Sequence, residues 1–283
     1  MTCARMASMT GMNTKTSNPP RPWAATSLAI LACLQALLPT AAHADTVTVA
    51  VAANFAAPLA RIADAFAAAS GHTLKISAGA TGKFYSQIIA GAPFQVLIAA
   101  DDETPKKLIA EGHAVAGSNF TYAIGQLVLW SAQPGLLDDQ GAVLGSGKFR
   151  KLAIANPKLA PYGRAAIEVI QAKGLTAVIA PRLVTAESIA QAHQFVATGN
   201  AELGFVALSQ VIGAGLAPAG SSAPSGKQAA GSYWRVPANL YGEIRQDAVL
   251  LKPGEKSAAA AALLAYLKSA PARAVIQRFG YGL

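Results

Sequence analysis

Cysteine is almost absent from this chain of 283 residues, which contains only Cys3 and Cys33. Charged residues are also scarce, at 13% of the sequence. Beyond position 33 the chain has neither a disulfide framework nor a cysteine nucleophile, so its core must be large enough to fold without cross-links. The hydrophobic fraction of 53% excludes a disordered chain.

The first 44 residues have the composition of an export signal. Three basic residues and no acidic residue accompany an apolar run at residues 23–38, and the small-residue stretch Ala42-His43-Ala44 follows. A basic start, a short apolar core and an A-x-A exit are typical of a secretory signal. The run is shorter than the roughly 20 residues of a membrane-spanning helix. We therefore expect cleavage near Ala44.

A second interpretation makes Cys33 a lipid-attachment site, because Ile30-Leu31-Ala32-Cys33 loosely resembles a lipobox. The apolar run continues past Cys33, whereas a lipid anchor is normally followed by a polar linker. This favours a free exported chain. The true start codon stays open, since Met6, Met9 and Met12 are alternatives.

The formal net charge is +9, and the basic residues are scattered along the chain. A nucleic-acid-binding surface requires a basic stripe or patch. The charge pattern therefore indicates no nucleic-acid partner.

Strand-like and helix-like segments alternate after position 45, which predicts sheets that are mostly parallel and flanked by helices. The expected strands are residues 46–51, 73–77, 94–100, 122–130, 152–155, 183–184, 203–207 and 248–251. The expected helices are residues 55–69, 83–90, 103–110, 164–173, 188–197, 255–268 and 271–279. A stretch rich in Gly, Ser, Ala and Pro at 214–231 is expected to be a surface loop.

The fold class predicted from this pattern is α/β with two lobes joined by two crossing strands, near residues 122–130 and 237–251. The expected limits are a signal peptide at 1–44, a first lobe at 45–125 and 237–283, and a second lobe at 126–236. A cleft between two lobes is a common ligand site.

Enzyme motifs are missing from the sequence. His72, His113 and His193 have no histidine partner at helical spacing, and neither a G-x-S-x-G elbow nor a Walker-type phosphate loop is present. Asp101-Asp102-Glu103 follows an expected strand and could hold a metal. Acidic capping of the next helix is the favoured interpretation, because carboxylates stabilise a helix N-terminus.

A short loop of small or polar residues joins a strand end to a helix start at four places: Ala52-Ala53-Asn54, Ala80-Thr81-Gly82, Pro161-Tyr162-Gly163 and Ala186-Glu187-Ser188-Ile189. Helix N-termini bind anions without Lys or Arg, because they present unpaired N–H groups and a partial positive charge. In an open α/β sheet these ends gather at one edge. Two starts from each lobe could surround a small oxyanion. The alternative is that Asn54 and Thr81 are only helix N-caps.

These and further segments resemble the periplasmic molybdate-binding protein family, the solute receptors of ABC molybdate importers. The resemblance covers nearly all of residues 46–283. The motifs that carry it are Val47-Thr48-Val49-Ala50-Val51-Ala52-Ala53-Asn54-Phe55, Gly79-Ala80-Thr81-Gly82-Lys83-Phe84-Tyr85, Ile89-Ala90-Gly91-Ala92-Pro93, Ala99-Ala100-Asp101, Ala155-Asn156-Pro157, Ala160-Pro161-Tyr162-Gly163, Gly204-Phe205-Val206 and Arg278-Phe279-Gly280-Tyr281.

The resemblance implies a two-lobe periplasmic binding protein fold of the second type, in which neutral hydroxyl and N–H donors from both lobes hold a tetrahedral dianion. By motif position the ligand-binding residues are Asn54, Thr81, Tyr162 and the backbone of Ile189. The backbones of Ala53 and Gly82 would support them. Molybdenum would enter only as the oxyanion, without protein–metal coordination.

The sequence departs from the family pattern at several positions. Many relatives have Ser in place of Asn54 and a Ser pair in place of Thr81-Gly82, and some have Tyr where this chain has Ala207. Tyr162 is the expected replacement for the hydroxyl missing at position 207. Lys83 and Arg164 lie within a turn of helix starts, so their charges are expected to project into solvent.

The function implied by the resemblance is a periplasmic receptor, not an enzyme, that binds molybdate and also tungstate without a cofactor. It would act as a monomer and deliver the anion to a membrane permease. One alternative is a receptor for sulfate or phosphate. Another is a secreted enzyme acting on an anionic substrate. A regulatory effector-binding module is a third, although no helix-turn-helix precedes residue 46.

Overall fold

Two five-stranded sheets form the framework of the protein, in a computed structural model that describes residues 44–213 and 231–283. The described strands are β1 (Thr46–Ala52), β2 (Thr73–Gly79), β3 (Val96–Ile98), β4 (Phe120–Gly125), β5 (Leu127–Ser131), β6 (Leu152–Ala155), β7 (Leu183–Ala186), β8 (Leu203–Ala207), β9 (Ser232–Arg235) and β10 (Ile244–Leu250). The described α-helices are α1 (Ala56–Ser70), α2 (Thr81–Ile89), α3 (Glu103–Ala110), α4 (Val143–Ser146), α5 (Pro161–Ala172), α6 (Thr176–Ile179), α7 (Ile189–Ala197), α8 (Leu208–Gly213), α9 (Ala258–Leu267) and α10 (Ala270–Arg278). Short 3-10 helices occupy Ala53–Phe55, Ala180–Arg182, Ala238–Leu240 and Lys252–Gly254.

Each sheet has one reversed strand. The first sheet has the order β2-β1-β3-β10-β4, in which only β10 runs antiparallel to its neighbours. The second sheet has the order β7-β6-β8-β5-β9, in which only β5 is reversed. Four of the five strands in each sheet therefore run the same way, and the expected mostly parallel α/β architecture is confirmed.

The chain passes from the first sheet to the second at Gln126 and returns between β9 and β10. The crossing expected near residues 122–130 is therefore confirmed, but it consists of two strands, β4 and β5, that belong to different sheets. Here "first lobe" means the first sheet with its helices, and "second lobe" means the second sheet with its helices. The expected lobe limits stay a prediction, since the described residues form one compact unit.

Several local predictions agree with the structure. The helix at 103–110 and the strands at 152–155 and 203–207 are confirmed to the residue. The helices expected at 83 and 164 begin earlier, at Thr81 and Pro161. Strand β9 has no counterpart among the expected elements. Cys33, the rest of the signal up to His43, and residues 214–230 of the expected loop lie outside the described residues.

Strand β1 is buried on both faces, which explains its uninterrupted apolar sequence. Val47, Val49 and Val51 are fully buried and pack in one cluster with Leu59, Ile62 and Phe66 of α1. On the opposite face, Ala50 packs in a second cluster with Phe84 and Ile88 of α2. The first sheet therefore lies between α1 and α2, and both helices begin at the carboxyl edge of its strands.

Across the described parts of the chain, no single helix has the length and apolar character needed to cross a membrane. Helices α9 and α10 reach this length and apolar character only when they are taken together, and the pair is bent by 59°.

Helix α5 lies very close to the end of β6, and Gly163 makes this approach possible. A Cβ atom at Gly163 would lie 2.2 Å from the carbonyl oxygen of Ala155. Backbone atoms at such a distance cannot move away without shifting a strand or a helix.

We expect Gly163→Ala to reduce the free energy of unfolding by about 1–3 kcal/mol, as overpacking of a dense interior does. Gly145→Ala is the matched control, because a Cβ there would meet only a Leu175 methyl group at 3.9 Å. Urea denaturation of both variants measures the difference. Equal stabilities would contradict the close approach of α5 to β6.

Candidate functional site

The starts of helices from both lobes meet around one small cavity. The lining residues are Ala52, Ala53, Asn54, Gly79, Ala80, Thr81, Ala100, Ala160, Pro161, Tyr162 and Ile189. All eleven are uncharged, and they close tightly around a cavity of only about 10 Å³. Five of the six site residues predicted from the sequence therefore lie together: Ala53, Asn54, Thr81, Tyr162 and Ile189.

Gly82 is the predicted site residue that does not line this cavity. Its N–H donates to the carbonyl of Leu159 at 2.9 Å. Leu159 precedes α5 in the second lobe, so this bond joins the two lobes beside the cavity. The N–H group of Gly82 is therefore engaged with protein rather than available to an anion.

Asn54 is not a helix N-cap, contrary to one interpretation of the sequence. The chain enters α1 through the 3-10 turn Ala53–Phe55, and the side chain of Asn54 points into the interior, 2% exposed. Its amide Nδ2 donates to Oε1 of Gln246 at 2.9 Å and to Oη of Tyr281 at 3.0 Å. Both amide hydrogens are therefore used within the protein, whereas Oδ1 is buried and has no hydrogen-bond partner among the described residues.

Thr81 is also not a cap, because Ala80 occupies the N-cap position and Thr81 is the first helical residue. Its Oγ1 accepts a hydrogen bond from the N–H of Ala100 at 3.0 Å. A hydroxyl that accepts in this way still has its own hydrogen to donate. The hydrogen of Thr81 is thus available at the cavity, where the residue is 1% exposed.

Ile189 occupies the first position of α7, where a backbone N–H has no partner within the helix. Ser188 caps this helix by accepting from the N–H of Gln191 at 3.3 Å. The cap leaves the N–H of Ile189 free of intrahelical bonding at the cavity wall. The N-terminal end of the helix also carries a partial positive charge, which favours an anion there.

Tyr162 extends from α5 toward the first lobe, where its Oη lies 3.0 Å from Nε2 of Gln246. Gln246 Oε1 lies 2.9 Å from the hydroxyl of Tyr122, which is also 2.9 Å from the carbonyl of Ala99. Tyr162 is 1% exposed and Gln246 is fully buried. The two lobes are therefore joined here by a hydrogen bond between neutral side chains.

A second junction between the lobes lies at the backbone carbonyl of Asn54. Ser209 of α8 donates to it through Oγ at 2.9 Å, and Tyr281 Oη also lies 2.9 Å from it. The two hydroxyls are 3.0 Å apart. Tyr281 is held in place by the residue that follows it, since Gly282 exchanges two backbone hydrogen bonds with Ile124 of β4.

Burial raises the pKa of the phenols of Tyr122, Tyr162 and Tyr281 above the ordinary value, which is about 10 for tyrosine. Desolvation is the main cause, because it disfavours the charged phenolate. All three groups are thus neutral at physiological pH. They can donate hydrogen bonds without adding charge to the site.

Charged side chains lie outside the cavity. Lys83 forms an ion pair with Glu187, and Arg164 contacts Glu103 at 2.9 Å and Asp101 at 4.0 Å. The expectation that Lys83 and Arg164 project into solvent is therefore wrong in one respect. Their side chains are 42% and 45% exposed, but each pairs with a residue of the other lobe.

The acidic run after β3 takes part in helix capping. Asp101 Oδ1 accepts from the N–H of Thr104 at 2.9 Å, in the first turn of α3. Burial raises the pKa of Asp101, although this hydrogen bond and nearby Arg164 act in the opposite direction. Within residues 44–213 and 231–283, no group of three or more His, Cys, Asp or Glu side chains could hold a metal ion.

Four residues of this site have no local sequence pattern that predicts their role: Tyr122, Ser209, Gln246 and Tyr281. Tyr281 belongs to a motif quoted for the family resemblance, but no local pattern gives it a role. Ala207, where some relatives have Tyr, is fully buried at the end of β8 and packs in one cluster with Tyr162. The hydroxyls near Asn54 come instead from Ser209 and Tyr281.

The chain is similar to known proteins over most of its length. Residues 47–282 match the family model described as bacterial extracellular solute-binding protein. A relative named Molybdate-binding protein ModA, from Azotobacter vinelandii, is 58% identical over 247 residues, covering 87% of this chain and 94% of the relative. A Rhodobacter capsulatus protein of the same name is 50% identical over 257 residues, covering 91% and 94%.

The solved structure of an Azotobacter vinelandii periplasmic molybdate-binding protein superimposes with a TM-score of 0.76 at 43% identity. The match covers 84% of this chain and 99% of that protein. The family match spans nearly all of the described residues, and the relatives are matched over almost their full length. The chain therefore belongs to the bacterial extracellular solute-binding protein family.

Proposed function

We propose that this protein is a receptor that binds molybdate between its two lobes and delivers it to the membrane permease of an ABC importer. The observation that carries the proposal is the cavity lined by eleven uncharged residues, at which helix starts from both lobes converge. A buried anion must be surrounded by hydrogen-bond donors, because it loses its hydration shell. The hydroxyl of Thr81, the hydroxyl of Tyr162 and the N–H of Ile189 are the donors that we assign to this role.

The names of the relatives support molybdate as the ligand. Two of them, at 58% and 50% identity, are named molybdate-binding proteins. Tungstate is a second ligand in this proposal, and the protein acts as a monomer without a cofactor or a nucleic-acid partner. Sulfate or phosphate would demand the same donor chemistry, so competition between these anions is part of the test.

The alternative of a secreted enzyme is disfavoured by the chemistry of the cavity. Its lining offers hydroxyl and backbone donors but contains no histidine, carboxylate or lysine that could act as a general base. We therefore propose that the protein binds its anion without transforming it. Recovery of unchanged molybdate after prolonged incubation with the protein would be the direct observation.

A thermal melt tests ligand binding directly. A ligand that binds only the folded state, present at about 1,000 times its dissociation constant, adds roughly 4 kcal/mol to the free energy of unfolding. We expect the melting temperature to rise with molybdate and with tungstate, and to stay unchanged with chloride at equal ionic strength. Sulfate and phosphate are tested at the same concentration.

The receptor assignment fails if neither molybdate nor tungstate shifts the melting temperature. A larger shift with sulfate or phosphate would instead assign a different oxyanion to the same cavity.

The variants Tyr162→Phe and Lys83→Ala separate a neutral donor from a surface charge. Tyr162→Phe keeps the ring and removes one hydrogen bond to a charged ligand, which is worth about 1.5–3 kcal/mol, or roughly ten- to hundredfold in affinity. Lys83→Ala removes an exposed ion pair between the lobes, which is worth about 1 kcal/mol or less. Isothermal titration with molybdate at moderate salt compares the two. A greater loss for Lys83→Ala would show that charge rather than neutral donors holds the anion.

Export to the periplasm is the last element of the proposal, and it rests on the composition of residues 1–44. The mature protein is expected to begin at Asp45 and to carry no lipid. Mass spectrometry of protein isolated from the periplasm measures this. A diacylglyceryl group on an N-terminal Cys33 would favour the lipoprotein interpretation instead.

A further inference from the structure

Gln246 lies where the reversed strand β10 passes beside the cavity. The ladder between β10 and β4 shifts register between Gln246 and Asp247, because Tyr122 is an extra residue on β4, and a bulge of this kind changes the local direction of side chains. A Cβ atom at Gly125 would lie 2.5 Å from Nε2 of Gln246 and 2.3 Å from Oη of Tyr162. The glycine on β4 therefore leaves the space in which these two side chains meet.

The amide of Gln246 is oriented with its oxygen toward Asn54 and its nitrogen toward Tyr162. Oε1 accepts from Nδ2 of Asn54 and lies 2.9 Å from the hydroxyl of Tyr122. Reversal of the amide would place its NH₂ group against the NH₂ group of Asn54, donor against donor. With Asn54 in its present orientation, the NH₂ group of Gln246 faces Tyr162, with Nε2 and Oη 3.0 Å apart.

This orientation determines what Tyr162 can do. A phenol has one hydrogen to donate, and its oxygen can accept. Because Gln246 donates to Oη, the hydrogen of Tyr162 cannot be directed back at Nε2. It is free to turn to an anion in the cavity that Tyr162 lines.

We propose that Gln246 is a positioning residue of the oxyanion site, which makes the hydroxyl of Tyr162 a donor to the bound anion by donating to its oxygen. The inference rests on the proposed function and adds a residue that does not itself line the cavity. Gln246 would act through Tyr162 rather than by contact with the anion.

The variant Gln246→Glu tests this with little change of size. A carboxylate has no hydrogen to donate, so it would accept the hydrogen of Tyr162 and add a negative charge beside a dianion. The anion would then bind well only when the new carboxyl group is protonated. We expect the affinity of the variant for molybdate to fall progressively as the pH rises from about 6 to 9, with proton uptake linked to binding at the upper end.

The measurement is isothermal titration with molybdate across this pH range, in buffers of different ionisation enthalpy. The wild-type protein should show constant affinity and no linked proton uptake, because its donors are neutral amide, hydroxyl and N–H groups. Gln95→Glu is the matched control: Gln95 is half-buried, its Oε1 accepts from the N–H of Thr48 at 3.0 Å, and it precedes β3 at the end away from Ala100. This control should behave like the wild type.

A second variant keeps the test decisive if Gln246→Glu does not fold. Gln246→Met removes the donor without adding charge, and we expect a loss of about tenfold in affinity. Combined with Tyr162→Phe, the two losses should be far from additive, because both act on the same hydroxyl. Additive losses would overturn the inference, and so would a Gln246→Glu variant with pH-independent, wild-type affinity. Failure of the wild-type protein to bind molybdate would instead overturn the proposed function.

Discussion

Hydrogen bonds between neutral groups join the two sheets at the cavity. The residues around these bonds leave the space that they need. Gln246 meets Tyr162 at one junction, and Ser209 meets the carbonyl of Asn54 at the other. The small volume of Gly125 leaves room for the first junction, and the bulge in β4 at Tyr122 lies beside it. A buried polar group that loses its partner is costly, on the order of 1–3 kcal/mol. The hydrogen bonds at these junctions therefore help to specify the closed arrangement.

The absence of charge from the cavity lining has a physical advantage for the anion site that we propose. A lysine in the cavity would attract an anion, but it would lose its hydration each time the lobes closed without a ligand. Phenols and backbone N–H groups lose much less on burial and need no counter-charge. The charged residues lie at the rim instead, where Lys83–Glu187 and Arg164–Glu103 cross between the lobes. At that exposure their attraction is screened by salt and contributes little.

The sequence predicts this molecule well where the signal is local. Strand β8 and helix α3 follow from runs of apolar residues and from the acidic start of the helix, and both are confirmed to the residue. The four loops at the helix starts also follow from local pattern, and the structure brings their residues together. At 122–130 the crossing between the lobes is predicted correctly, but not its division into two strands, because both strands are apolar and only Gln126 separates them. Prediction fails for the role of Gln246, whose partner Asn54 is 192 residues away in the chain.

Strand direction explains why a residue so distant in sequence reaches the cavity. Because β10 runs antiparallel to β3, with Ala248 opposite Ile98, its first residues lie at the carboxyl edge where Ala100 lines the cavity. The chain reaches this edge directly after returning from the second sheet. Gln246 therefore bonds to Asn54 and Tyr122 within its own lobe, and to Tyr162 across the cleft. Separation of the lobes would break only the bond to Tyr162. Gln246 can therefore orient the hydroxyl of Tyr162 only when the cleft is closed.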